Sequence, residues 1–368
     1  MNSVEQFIFE ENGKRLDLKW EAFAKEIMEL QSPDTFTMLY ATDVHYIRKY
    51  AFCAIVYSKL LEMVQFSGHI GVDLLALTGD IVDGNTTLQR QYRDLYDVIS
   101  LIRQAKTSSV AISKGNHDDN SWYTYAHQLG AENIIDGKQW FNHVVNPLRI
   151  SYPMVLDPEN PEGGYYYIDD PFHKIRIINI NTNDTPIIPD EDGRIPRKIC
   201  GQWVMGLQQK QLNWLAKTLQ ISEPGWSVLC MSHMCPFLNA GEPIYNGDMV
   251  RQLLIAYRDG TKGSLTGDAE DFPAEVEFDF TGNGSHDVMP YFYGHIHKDT
   301  VDVVDGITAI ASRNLMGKVP GTNAAAWDNQ EDNVTFNGSW DCVLVDKKQR
   351  SVTVKRYNMP EFDRVIPY

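Results

Sequence analysis

Five of the ten histidines in this chain stand in short runs with aspartate, asparagine and glycine. The runs are Asp43-Val44-His45, Gly79-Asp80-Ile81-Val82-Asp83, Gly115-Asn116-His117-Asp118, Ser232-His233 and Gly294-His295-Ile296-His297. Imidazole and carboxylate groups suit Mn, Fe or Zn, and the lack of thiolates among them disfavours soft metals. One Asp-x-His or one Gly-Asp is usually a polar turn. Gly115-Asn116-His117-Asp118 is a stronger signal, because four specified residues recur by chance only on the order of once in several hundred chains of this length.

What must position these residues is also legible. Each run follows a short apolar stretch: residues 36–41, 74–77, 110–112, 227–231 and 288–293. Continuous apolar runs of that length predict buried strands. Helical patterns over 50–66, 87–106 and 207–219 fall between strands, with a further strand at 174–180. Strands alternating with helices imply β-α-β units and a parallel core whose loops gather at the carboxyl ends of the strands. Later the pattern changes to hairpins: 301–304 with 307–310 across Asp305-Gly306, and 342–345 with 351–356. The expected architecture is α/β, with two sheets packed face to face and helices outside. One large domain is expected over 36–368, preceded by a helical extension over 1–35, with an amphipathic pattern at 16–30. Residues 119–172 and 236–286 lack clear periodicity and are expected to form lid-like segments or binding loops. In them, Trp122, Tyr123, Tyr125 and Tyr165–Tyr167 are candidates for stacking on a substrate, or for a small core of their own.

Composition narrows the function. A chain of 368 residues with 43% apolar and 22% charged residues can build a core large enough to hold a rigid site. Its net charge of −16 disfavours an extended nucleic-acid surface or an anionic membrane as partner. No apolar run reaches the roughly 18 residues of a membrane span, and the first residues lack the pattern of a secretory signal. Five cysteines without a C-x-x-C pair argue against a disulfide framework and fit a reducing, cytoplasmic setting. No Gly-x-Ser-x-Gly elbow is present, so a serine hydrolase lacks support.

The five runs, in this order, resemble the motifs of the calcineurin-like metallophosphoesterases over about residues 36–310, and Leu212-Asn213-Trp214-Leu215 resembles the helix that precedes the fourth motif. The resemblance implies a four-layer α-β-β-α sandwich of two mixed sheets with a binuclear metal centre at the strand ends. It implies one metal held by Asp43, His45, Asp80 and His297, and a second held by Asp80, Asn116, His233 and His295. Asp80 would bridge, one oxygen to each cation. Two such cations leave a local charge of about +2 against two carboxylates, enough to attract phosphate to an acidic protein. The resemblance places His117 beside the phosphate, as general acid or as stabiliser of developing charge; Asp118 is read as holding its other ring nitrogen or as capping the next helix, and Asp83 as orienting a metal-binding histidine or as part of a structural turn.

The implied activity is hydrolysis of a small phosphorylated substrate by attack of a metal-bound hydroxide on phosphorus, with diesters slightly preferred to monoesters. A phosphomonoesterase is the alternative, as is a catalytically silent, metal-stabilised scaffold. Where relatives carry paired prolines after the fourth-motif histidine, this chain has Cys235 and Pro236. Cys235 is read as a small buried residue, or as an oxidation-sensitive neighbour of the site.

Overall fold

Several strands bury both of their faces, and that sorts the chain into layers. In Ser227–Met231, Leu229 and Met231 enter one core while Val228 and Cys230 enter another. Ile175–Asn179 divides in the same way, with Ile175 and Ile177 on one side and Ile178 on the other. Alternation of side chains across a strand produces this partition, and the sequence reads as one apolar run because neither face meets water.

In this computed structural model the described residues are 20–49, 53–221, 223–238, 244–282, 286–317 and 338–368. The first sheet runs Arg364–Pro367, Ser351–Arg356, Asp341–Asp346, Thr35–Ala41, Leu74–Leu77, Ser109–Ile112. Its last three strands are parallel and the others antiparallel. The second sheet runs Thr300–Val304, Ile307–Ala311, Tyr291–Tyr293, Ser227–Met231, Ile175–Asn179, Tyr166–Asp170, Val155–Leu156, with Asp287–Val288 also paired to Ser227–Met231. Helices Cys53–Phe66 and Leu88–Ile102 bury their apolar sides in the same large cluster as the first sheet, whose strands are buried on both faces. Gln209–Thr218 and Gly247–Asp259 pack on the outer face of the second sheet. The result is the expected α-β-β-α sandwich.

Hydrogen bonds tie the sheets together where van der Waals packing alone would let them slide. The Tyr40 hydroxyl donates to the Tyr293 carbonyl at 2.7 Å. The Tyr166 hydroxyl accepts from the Ile112 N–H at 2.8 Å and lies 3.2 Å from its carbonyl, satisfying the edge strand from across the core. The Asp305-Gly306 hairpin forms as expected, with φ of 49° and 78° at its two central residues, the left-handed pair of a type I′ turn.

Some expectations need correction. The stretch 288–293 is two short strands, Asp287–Val288 and Tyr291–Tyr293, interrupted around Pro290, which has no N–H to give to a ladder. Residues 119–172 and 236–286, which lack clear periodicity in the sequence, nevertheless contain regular elements. The first holds the sheet strand Tyr166–Asp170, and Tyr165 and Tyr166 are core residues. The second holds the helix Gly247–Asp259 and a ribbon of Lys262–Gly267 with Ala274–Asp279. The amphipathic pattern near the N-terminus forms a helix over residues 20–30, with Trp20, Ala24 and Ile27 buried, while Leu16 and Leu18 lie outside the described residues. Among the described residues no helix is long and apolar enough to cross a membrane. All five cysteines are free and buried.

The two-faced packing makes a prediction. Leu229→Ala, which empties part of the shared core, is expected to lower unfolding free energy by about 2–5 kcal/mol, whereas Val303→Ala on the exposed edge strand should change it by less than about 0.5 kcal/mol. Urea denaturation of both variants measures the contrast, and equal losses would contradict the partition.

Candidate metal centre

The loops that leave the carboxyl ends of the central strands carry the motif residues, and their backbone is unusual. Asp43, His45, Asp80, His295 and His297 all have positive φ, between 46° and 70°. Left-handed backbone is uncommon for residues with a Cβ, though Asn, Asp and His tolerate it best. It costs of order 1–3 kcal/mol per residue and persists only where the surroundings enforce it. Here it turns five polar side chains back toward one point instead of letting them splay. Glycines make room for the convergence. A Cβ on Gly115 would overlap the backbone nitrogen and Oδ1 of Asp80, and one on Gly79 would lie 2.6 Å from Nδ1 of His233.

Two groups of donors result. In the first, His297 Nε2 lies 3.3 Å from Asp43 Oδ1, His45 Nε2 lies 3.2 Å from His297 Nε2, and His45 Nε2 lies 3.7 Å from Asp80 Oδ2. In the second, His233 Nε2 lies 3.2 Å from Asp80 Oδ2, 2.9 Å from Asn116 Oδ1 and 3.2 Å from His295 Nδ1, and His295 Nδ1 is 3.1 Å from Asn116 Oδ1. A cation with bonds of about 2.0–2.2 Å puts neighbouring donors roughly 2.8–3.6 Å apart, so the second group and the Asp43–His297–His45 set fit one ion each, with Asp80 Oδ2 just beyond that spacing from His45. All seven residues expected as ligands therefore come together, and Asp80 links the two groups, clustering with His45 and His117 on one side and with His233 and His295 on the other.

Asp80 joins the groups differently from the expectation of one oxygen per cation. Its Oδ1 accepts the His117 N–H at 2.8 Å, and Oδ2 alone faces both groups. The backbone amide of the third motif thus fixes the rotation of the carboxylate.

The partners of these residues set their tautomers. His233 Nδ1 donates to the Thr78 carbonyl at 2.8 Å, which turns Nε2 toward the site. Asn116 Nδ2 donates to the Gln202 carbonyl at 3.3 Å, which turns Oδ1 inward. Two hydrogen bonds from the His295 N–H, at 3.1 and 3.0 Å, and one from Thr42 Oγ1 at 2.8 Å hold the Asp43 carboxylate. Asn314 Nδ2 lies 3.0 Å from His297 Nδ1.

His117 lies at the edge of the constellation, its Nε2 4.0 Å from Asp80 Oδ2 and 3.3 Å from Gln202 Nε2. Its Nδ1 donates to the carbonyl oxygen of Asp83 at 2.6 Å. That contact corrects two expectations. Asp83 contributes its backbone to His117, not its side chain to a ligand histidine. Asp118 holds the loop instead of the ring, accepting from Val82 N at 3.0 Å and Gly115 N at 2.8 Å. Cys235 is buried, and that burial pushes its thiol well above the usual range, which describes an inert core residue.

The electrostatics favour cation uptake. Burial opposes ionisation of Asp43, but the neighbouring His297 outweighs it and brings the carboxyl down to about 2. Burial pushes the His45 and His295 imidazoles down to about 3, so they are neutral at pH 7 with a lone pair to offer. His233 is the exception: burial opposes its protonation, yet Asp80 raises it to about 9. For His117, Asp80 and Asp83 likewise outweigh burial and raise its pKa.

Residues 36–299 match the family described as calcineurin-like phosphoesterase. The chain belongs to this family, and it is a metallophosphoesterase. The family implies two divalent metal ions, which agrees with the two donor groups above. No curated protein matches the sequence. Among solved structures, a dimetal phosphatase from Danio rerio is similar with a TM-score of 0.58 and 15% identity, over 90% of this chain and 99% of that one. That likeness supports the fold. A purple acid phosphatase from yellow lupin, Lupinus luteus, has a TM-score of 0.46 and 10% identity, over 90% of this chain and 53% of that one.

Because His233 holds a proton in the metal-free site, loading metal at pH 7 should release about one proton per chain from it. Calorimetric titration of Mn in buffers of different ionisation enthalpy measures the number. Release of no protons would contradict this account of His233.

Proposed function

We propose that the chain hydrolyses small phosphate esters, diesters at least as well as monoesters, at a centre formed by Asp43, His45, Asp80, Asn116, His233, His295 and His297. The carrying observation is the shared Asp80 Oδ2, with His117 close by but held by another partner. Two bound cations, of Mn, Fe or Zn, would supply an ionised water as nucleophile and neutralise charge on the phosphoryl oxygens.

The chain's own residues do the rest. Asp80 and Asp43 bring negative charge to hold the cations, and the neutral imidazoles complete their shells. Asn116 offers its amide oxygen without adding charge. His117 carries a proton on Nε2 toward the leaving group while its Nδ1–H stays on the Asp83 carbonyl, so giving up that proton requires no ring rotation. Asp118 supports this indirectly by closing the turn that carries His117.

The diester preference rests on where the cationic side chains go. A monoester dianion would be helped by an arginine beyond the metals. Arg48 instead pairs with Asp97 at 2.9 Å, Arg194 lies 3.8 Å from Asp192, and Arg197 stacks over Trp203 at 4.4 Å. The segments 119–172 and 236–286 are read as the walls that accept the ester's second organic group; the extension expected over 1–35 does not stand apart from the domain where it is described, because Trp20, Ala24 and Ile27 enter the main core and Thr35 opens the first strand.

His117→Ala is expected to retain both metals and lose roughly 10²- to 10⁴-fold in rate, the usual cost of removing a general acid. Rates on bis-nitrophenyl phosphate and nitrophenyl phosphate at equal metal loading test the substrate class. A preference for the monoester of about a hundredfold, worth near 2.7 kcal/mol, would overturn the diester reading.

A further inference from the structure

A carboxamide from outside the motifs reaches the edge of the metal centre. Gln202 is 7% exposed and belongs to an irregular stretch after the short turn Arg197–Ile199. Its backbone is pinned to the loop that carries Asn116 and His117. The Gln202 N–H donates to Ser121 Oγ at 2.9 Å, and the preceding Gly201 lies so close to Asp119 that any Cβ there would overlap the carboxylate. Gly201, Lys114 and Asp119 line a cavity of about 770 Å³ behind the loop, and none of the candidate metal ligands does. Gln202 is therefore where this segment passes from that cavity to the metal centre.

The two parts of Gln202 address different motif residues. Its backbone carbonyl accepts from Asn116 Nδ2 at 3.3 Å, a contact that any residue could supply. Its side chain is the specific part: Nε2 lies 3.3 Å from Nε2 of His117, the ring atom proposed to face the leaving group. A buried amide usually satisfies both of its ends. Among the described residues His117 is the one hydrogen-bond partner of this carboxamide, and Gln202 Oε1 has none. Packing alone would be served as well by an apolar side chain of the same length, without the cost of burying an unsatisfied amide.

His117 creates the need for such a partner. Its Nδ1–H on the Asp83 carbonyl, at 2.6 Å, fixes one ring atom but leaves the ring free to swing about that bond. His45 meets the ring edge to face with centroids 4.7 Å apart, which limits its tilt. The aim of Nε2 then depends on a contact at Nε2 itself. Gln202 supplies one at 3.3 Å, whereas Asp80 Oδ2, at 4.0 Å, is too distant for a hydrogen bond. A carboxamide suits the task because a half-turn of its terminal torsion exchanges acceptor for donor. Its oxygen can face Nε2–H before the proton leaves, and its NH₂ can face the lone pair afterwards. We infer that Gln202 is a positioning residue of the reaction, its carboxamide aiming Nε2 of His117 at the leaving-group oxygen. The proton passes from His117 Nε2 to that oxygen as the bond from oxygen to phosphorus breaks, and Gln202 neither gains nor loses one. The inference rests on the reading of His117 as general acid.

Gln202→Met tests it in the metal-loaded full chain, because methionine keeps the length of the side chain and the backbone carbonyl on Asn116 while removing the carboxamide. Gln202→Ala keeps the same carbonyl and is expected to behave alike. Rates are compared on phenyl and nitrophenyl esters of the class, mono- or diester, that the protein turns over. Metal content should match the unsubstituted protein. On the phenyl ester kcat should fall by about 10- to 100-fold with KM little changed, the scale of loss from misaiming a catalytic group. The fall should be much smaller on the nitrophenyl ester, whose leaving group departs without a proton. Gln202→Met combined with His117→Ala should lose no more than His117→Ala alone, because a residue that acts through His117 then has nothing to aim. Undiminished kcat, an equal fall on both esters, losses that multiply in the double variant, or loss of metal would overturn the inference. If His117→Ala itself costs the same on both esters, the acid reading fails and this inference with it. If His117→Ala shows the contrast between esters and the Gln202 variants show none, the inference fails alone.

Discussion

Two carboxylates, Asp43 and Asp80, are buried to 0% and 2% exposure within reach of four imidazoles, and the rest of the structure depends on balancing that charge. Ionised carboxylates are expensive in a dry interior unless cations or protons compensate them. Ring nitrogens 3.2 Å apart, as in His45–His297 and His233–His295, cannot both turn lone pairs inward without a positive charge between them. A loose scaffold would relieve the crowding by letting side chains rotate outward. This one prevents it with left-handed backbone at five donors, backbone hydrogen bonds to both carboxylates, and a two-sheet core behind them. The strain has a physical use: it holds the donors at spacings that suit cations before any cation arrives.

Much of this was readable in the sequence, for a definite reason. A strand buried on both faces must be apolar throughout, so the first polar residues after it, Thr42, Thr78, Ser113 and Ser232, mark where the chain emerges. Asp43, Asp80, Asn116 and His233 follow within three residues of those points. Asn314 follows the strand Ile307–Ala311 in the same manner and was missed, because no motif surrounds it. Gln202 carried no signal at all, lying in an irregular stretch far from the motifs. The carbonyls of Thr78 and Asp83 could not be read, since every residue has one and only geometry selects which is used. Asp118 was misassigned for a related reason: adjacency to His117 suggested a contact, but the tight turn points its carboxylate back to Val82 and Gly115. The helix Gly247–Asp259 was masked by the Gly, Asp and Pro around it, although Met249, Val250, Leu253, Leu254 and Tyr257 follow a helical stripe.

The segment 114–121 serves two environments at once. Its inner face presents Asn116 and His117 to the metal centre, while Lys114 and Asp119 turn to the neighbouring cavity. Asp118 between them clamps the turn, and Gln91 donates to the carbonyls of His117 and Asp118 at 3.2 and 3.1 Å. A short loop fixed by so many hydrogen bonds moves as a unit or not at all.

The central claim is that one oxygen of Asp80 joins two cation sites. Anomalous diffraction from crystals grown with Mn tests it most directly. The account predicts two peaks about 3.5–4 Å apart with Asp80 Oδ2 between them and Oδ1 still on the His117 N–H. A single peak, or two peaks bound by different oxygens of Asp80, would contradict it.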